Sequence, residues 1–168
     1  GIAISRKGRV DYHKDMGLVG EIFKDNVLSE LYGADIAVAH VRYSTTGRSA
    51  VTNAQPLVIS YRSGTVALTH NGNLINASGL RKELEEDGAI FQTTIDTEVI
   101  ANLIARNADD GIIKSIKKTM GRIRGSYAMT IMTKDKLIGV RDPHGIRPLV
   151  LGQINESYVL ASETAALD

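Results

Sequence analysis

Short, strand-length apolar runs lie toward both ends of the chain, and apolar residues recur at helical spacing in the middle. Gly1 to Ser5 and Val10 to His13 read as strands around Arg6-Lys7-Gly8-Arg9, a hairpin turn. Glu21 to Leu31 carries a weak helical pattern. Ile36 to Arg42 reads as a strand, with Ile36, Val38, His40 and Arg42 on one face and Ala37, Ala39 and Val41 on the other. Leu57 to Tyr61 and Thr65 to Thr69 flank Arg62-Ser63-Gly64, a second hairpin. Three helices follow. Leu80 and Leu84 mark the first, with Gly88 as its stop. Val99, Ile100, Leu103 and Ile104 form the stripe of the second, with Asp96 at its cap position. Ile113, Ile116, Met120 and Ile123 mark the third, and Gly125 lies beyond its end. Ser126 to Thr133, Lys136 to Arg141, Pro148 to Gly152 and Ser157 to Ala161 return to strands. Short turns join each to the next and force antiparallel pairing.

Strands, then helices, then strands again define an α+β domain. Most strands are apolar on both faces, so the sheets are expected to be covered on both sides. No linker, repeat or low-complexity segment divides residues 1–168, which read as one unit. At 43% hydrophobic and 23% charged residues, the chain can build a core without disulfides or metals. A net charge of +1 removes a polyanion-binder by charge alone. Lys114, Lys117, Lys118, Arg122 and Arg124 read as a solvated basic face on the third helix. They lack the interleaved aromatics of a nucleic-acid patch. The absence of cysteine excludes a thiolate metal site, an iron–sulfur cluster or a Cys nucleophile within these residues. No apolar run is long enough to span a membrane, and the N-terminus lacks a signal-peptide layout. A cytoplasmic location is the expectation.

Four segments hold candidate chemistry. Arg42 stands where a strand exits into the polar loop Tyr43-Ser44-Thr45-Thr46-Gly47. There it either pairs with an acidic neighbour or grips a carboxylate or phosphate through two parallel hydrogen bonds. His70-Asn71-Gly72-Asn73-Leu74 follows a strand. Asn-Gly is a favoured tight-turn pair, and a turn is the plain expectation. The functional alternative is an oxyanion hole, in which the Asn71 side-chain NH2 and the Gly72 backbone N–H converge on one point. Asp96 either caps its helix or receives a substrate ammonium. Arg141-Asp142-Pro143-His144-Gly145-Ile146-Arg147-Pro148 reads as a turn, with Pro143 second and Gly145 fourth. Neither His13 nor His40 has a companion at metal-ligand spacing.

Together these segments closely resemble one family. His40-Val41-Arg42-Tyr43-Ser44-Thr45, His70-Asn71-Gly72-Asn73-Leu74, Asp96-Thr97-Glu98, Arg141 to Leu149, and Glu163 within Ala161-Ser162-Glu163-Thr164 occur in the family's order. They resemble the glutaminase domain of amidophosphoribosyltransferase, a class II glutamine amidotransferase. The resemblance implies a four-layer αββα sandwich of antiparallel sheets, the N-terminal nucleophile hydrolase type. It implies glutamine hydrolysis that supplies ammonia for phosphoribosylamine formation in de novo purine synthesis. Arg42 would bind the α-carboxylate of glutamine, Asp96 its α-amino group, and Asn71 and Gly72 the oxyanion, with Thr45 lining the pocket. The expected partners are glutamine, a phosphoribosyltransferase domain and further copies in a homo-oligomer, with no nucleic acid, membrane, metal or cofactor in this domain. The family's nucleophile is an N-terminal Cys that residues 1–168 lack. The chain is therefore expected to be a domain truncated at its N-terminus, with the phosphoribosyltransferase domain absent and no activity by itself. The alternative is a non-catalytic amino-acid-binding or interaction module on the same fold.

Overall fold

The computed structural model describes residues 1–42 and 50–167. The chain opens with the hairpin β1 (Ile2–Arg6) and β2 (Arg9–His13), whose turn uses positive φ at both Lys7 and Gly8. Two short helices follow, α1 (Val19–Ile22) and α2 (Asp25–Leu31), where the sequence pattern suggests one. The break falls at Phe23, whose ring packs edge-on against His13 of β2, with centroids 5.6 Å apart. β3 (Ile36–Ala39) pairs antiparallel with β1, giving a three-stranded sheet of order β2-β1-β3. β3 is shorter than its apolar pattern. It ends at Ala39 opposite Ile2, where its partner strand ends, so Arg42 is not part of the strand.

The second sheet, of order β4-β5-β6-β7, is wholly antiparallel: β4 (Leu57–Tyr61), β5 (Gly64–Leu74), β6 (Gly125–Met132) and β7 (Leu137–Arg141). Between β5 and β6 the chain forms α3 (Ala77–Glu86), α4 (Asp96–Arg106) and α5 (Ile112–Met120). The predicted stripes do the packing. Leu80, Leu84, Val99, Ile100, Leu103, Ile104 and Ile116 cover one face of this sheet, against Val66, Leu68, Tyr127, Met129 and Ile131. The side chains that alternate with those, Ala67 and Met132, meet Ala3 and Val38 of the first sheet in a second, smaller core. The order is thus helices, sheet, sheet, with α1 and α2 beyond the first sheet, as expected for an αββα sandwich.

Four local expectations need correction. α5 stops at Met120, so Ile123 is buried in the following loop, while Ile113 is exposed. Arg122 and Arg124 lie past the helix end and do not extend its basic face; Arg122 pairs with Glu83 and Lys118 with Asp110. Ala37 and Ala39 of β3 are exposed, so the first sheet is not covered everywhere. The short turns also do not make one four-stranded meander at the C-terminal end. β8 (Val150–Ile154) pairs with β9 (Ser157–Ala161) as a separate hairpin, because the segment after β7 folds onto Asp142 instead of reversing beside it. Gly145 N–H bonds Asp142 C=O at 3.0 Å, closing the turn expected over Asp142–Gly145. The Asp142 carboxylate accepts the N–H groups of His144, Ile146, Arg147 and Tyr127. Among the described residues no helix is long and apolar enough to cross a membrane, and no group of three His, Asp or Glu side chains could hold a metal ion.

Candidate active site

Asn71 and Gly72 do not form a turn. β5 runs straight through them, with Asn71 opposite Ala128 and Gly72 opposite Tyr127. The ladder with β6 overrides the local turn preference. Glycine is needed here for close approach: its φ is +143°, and a Cβ would strike the Ser126 carbonyl oxygen.

The ladder also decides where the Gly72 N–H points. Tyr127 turns both main-chain groups toward Asp142: its N–H reaches Asp142 Oδ2 at 3.3 Å, and its C=O accepts the Asp142 N–H at 2.8 Å. Its partner on β5, Gly72, therefore directs its own N–H away from β6. β4 pairs with β5 only as far as Leu68, so the far edge of β5 is open beyond that point. Three alternate residues present N–H groups along this edge. The His70 N–H goes to Gln55 Oε1 at 2.6 Å, and Gln55 Nε2 returns a bond to the His70 C=O at 3.3 Å. The Leu74 N–H goes to Asp96 Oδ2 at 3.0 Å. The Gly72 N–H lies between these two and faces a cleft of about 730 Å³.

That cleft brings together Arg42, Asn71, Gly72 and Asp96, residues separated in sequence but singled out by their chemistry, with Glu163 at its border. Thr45 lies outside the described residues. The capping expectation for Asp96 is corrected. Ile95 holds the cap position and Asp96 is the first residue inside α4. Its carboxylate turns back to the end of β5, taking the Leu74 N–H and standing 3.3 Å from His70 Nδ1. Burial alone would push the Asp96 carboxyl up. The His70 hydrogen bond and charge and the backbone N–H groups of Leu74 and Thr97 outweigh it, and the carboxyl sits below the usual carboxylate range. The first turn of α4 also favours the anion.

This sets a pH test. A carboxyl whose folded pKa is depressed contributes stability that is present above its unfolded value, about pH 4, and lost as pH falls through the lower folded value. Melting curves of the wild type and Asp96→Asn should therefore lie furthest apart above about pH 4 and converge in stronger acid. A constant separation across that window would show that the Asp96 charge adds nothing to stability.

Three site residues were missed in the sequence. Gln55, His40 and His70 do not stand out by spacing. His70 is buried between Asp96 and Thr97, with Nδ1 at 3.3 Å and 3.4 Å from their oxygens. His40 Nε2 lies 3.0 Å from Asn71 Oδ1. The usable signal is position: His70 adjoins the Asn71-Gly72 pair, and His40 lies two residues before Arg42.

A sequence model of the glutamine amidotransferase domain matches residues 40–168, most of the chain. The chain belongs to that family. Among curated proteins it is 50% identical over 154 residues to the chloroplastic amidophosphoribosyltransferase 2 of Arabidopsis thaliana, covering 91% of this chain and 27% of that protein. It is 49% identical over 174 residues to the amidophosphoribosyltransferase of Synechocystis sp., covering 100% of this chain and 35% of that protein. Its structure is similar to that of the glutamine phosphoribosylpyrophosphate amidotransferase from Bacillus subtilis, solved with ADP and GMP. The TM-score is 0.91 at 41% identity, over 99% of this chain and 36% of that one. The glutamine amidotransferase chain thus spans about a third of the length of such relatives. Its fold is the αββα sandwich of the N-terminal nucleophile hydrolases, as its motifs implied.

Proposed function

We propose that this glutamine amidotransferase domain hydrolyses the side-chain amide of glutamine and delivers the ammonia to a phosphoribosyltransferase domain for phosphoribosylamine formation in purine synthesis. The observation that carries this reading is the Gly72 N–H on the open edge of β5, beside the Asn71 amide and in one cleft with Arg42 and Asp96. In this proposal the Arg42 guanidinium takes the α-carboxylate of glutamine, Asp96 its α-ammonium, and Thr45 lines the pocket. A thiolate attacks the amide carbon, and the negative charge that develops on oxygen is met by Asn71 Nδ2–H and Gly72 N–H. The C–N bond breaks, ammonia leaves with a proton, and water hydrolyses the thioester to glutamate. Residues 1–168 contain no cysteine, so they supply the binding site and oxyanion donors, and the thiol comes from outside them. By themselves they do not turn over glutamine. On the resemblance alone, the proposal extends to a homo-oligomer in the cytoplasm.

The test is glutamate release from glutamine by the full-length protein, with Arg42→Lys beside it. An ammonium cannot reproduce a bidentate fork, so KM for glutamine should rise by about 30-fold, equivalent to roughly 2 kcal/mol. kcat should change little, because the α-carboxylate is bound equally in ground and transition states. An unchanged KM would remove Arg42 from the site. Glutamine binding without hydrolysis by the full-length protein would favour a binding module.

A further inference from the structure

We propose that His40 is a positioning residue for Asn71, holding its side-chain amide in the one orientation that aims the Nδ2 donors into the cleft. This rests on the proposed role of Asn71 at the oxyanion. An asparagine amide fits its site in two orientations of nearly equal shape, and only one of them presents NH2 to a substrate oxygen. Something must choose, and Asn71 is exposed on the cleft side, so packing does not. The contact that chooses is His40 Nε2 to Asn71 Oδ1 at 3.0 Å. In this orientation the oxygen accepts, so Nε2 carries the proton.

The rest of the imidazole agrees with that tautomer. Among the described residues, the buried Nδ1 has no hydrogen-bond partner. A doubly protonated ring would add a buried charge. Burial is also the largest influence on the ring and pushes its pKa below the ordinary histidine range, despite the opposing hydrogen bond with the Asn71 side chain and the opposing influence of the His70 backbone. The ring is therefore neutral, and its contact with the Asn71 oxygen places the proton on Nε2. In that form the flipped amide would set NH2 against N–H, losing a hydrogen bond and gaining a repulsion.

The two partners come from different sheets. The His40 N–H bonds the Gly1 C=O at 2.9 Å, which extends the β1–β3 ladder by one residue and fixes where the ring stands. Asn71 is held on β5 by β6. Packing of one sheet on the other thus delivers the hydrogen bond.

The experiment uses the full-length protein. His40→Leu should lower kcat for glutamine hydrolysis by about tenfold, with KM little changed, because the lost orientation acts on the transition state. His40→Gln, which places an amide N–H near the former Nε2, should restore most of that loss. In an Asn71→Ala background, His40→Leu should have no further effect. An equal loss in both backgrounds, a loss confined to KM, or failure of glutamine to restore kcat would overturn the proposal. Long-range ¹⁵N–¹H spectra of the His40 ring provide a reading that needs no activity and no variant. A proton on Nε2 supports the proposed orientation, and a proton on Nδ1 alone overturns it. If Nε2 is protonated and the wild type does not hydrolyse glutamine, the orientation stands and the function proposed above falls.

Discussion

Gly72→Ala is expected to destroy glutamine hydrolysis and to destabilise the domain together. The added Cβ has no room, since the Ser126 carbonyl oxygen occupies its position. The backbone cannot swing aside either, because β6 pairs with β5 on both sides of Gly72, from Ala67 to Leu74. A φ of +143° is strained for any residue with a side chain. Steric overlap and backbone strain together should cost about 3 kcal/mol, enough to lower the melting temperature by on the order of 10 °C in a domain of this size. Relief would come from local separation of β5 and β6, which would turn the Gly72 N–H away from its place between Gln55 and Asp96. Calorimetry and glutamate release on the same sample check both halves. A variant that melts with the wild type would mean that the strand has slack, and one that retains turnover would remove Gly72 from the oxyanion site.

Asn71→Ala should act on chemistry without touching the fold. Asn71 is exposed, and its side chain makes one hydrogen bond, to His40, among the described residues. Its loss therefore leaves the melting temperature close to that of the wild type. The effect on the reaction should be far larger. A preorganised donor facing developing charge in a partly dry site is worth about 3 kcal/mol, or about 10²-fold in kcat. KM should stay nearly constant, because the ground-state amide oxygen carries little of that charge. A rise in KM with normal kcat would mean that Asn71 positions substrate. A fall in melting temperature with normal kinetics would return Asn71 to a purely structural role.

These two residues also mark the limit of local reading. Asn-Gly carries a strong turn signal, yet here it is mid-strand, because the strand it pairs with arrives from more than fifty residues further on. No short-range signal reports such a partner. Asp96 reads as a cap for the same reason. Its true partner, the Leu74 N–H, is 22 residues away and becomes available only where β5 outruns β4. The His40–Asn71 contact spans 31 residues and two sheets. Glu21 to Leu31 breaks into two helices because Phe23 packs on β2, a choice made across the fold.

What the sequence determined is whatever is decided within one turn or one period. The stripes of Leu80 and Leu84, and of Val99, Ile100, Leu103 and Ile104, set which helix faces are buried. The Lys7-Gly8 and Asp142–Gly145 turns, and the αββα class implied by the ordered motifs, were also legible. The residues that line the cleft were legible as chemical types. Their convergence was decided by tertiary structure, because an open strand edge exists only after two strands of unequal length have paired. The Gly72 N–H becomes available there because β4 stops at its pairing with Leu68, while β6 follows β5 to Leu74.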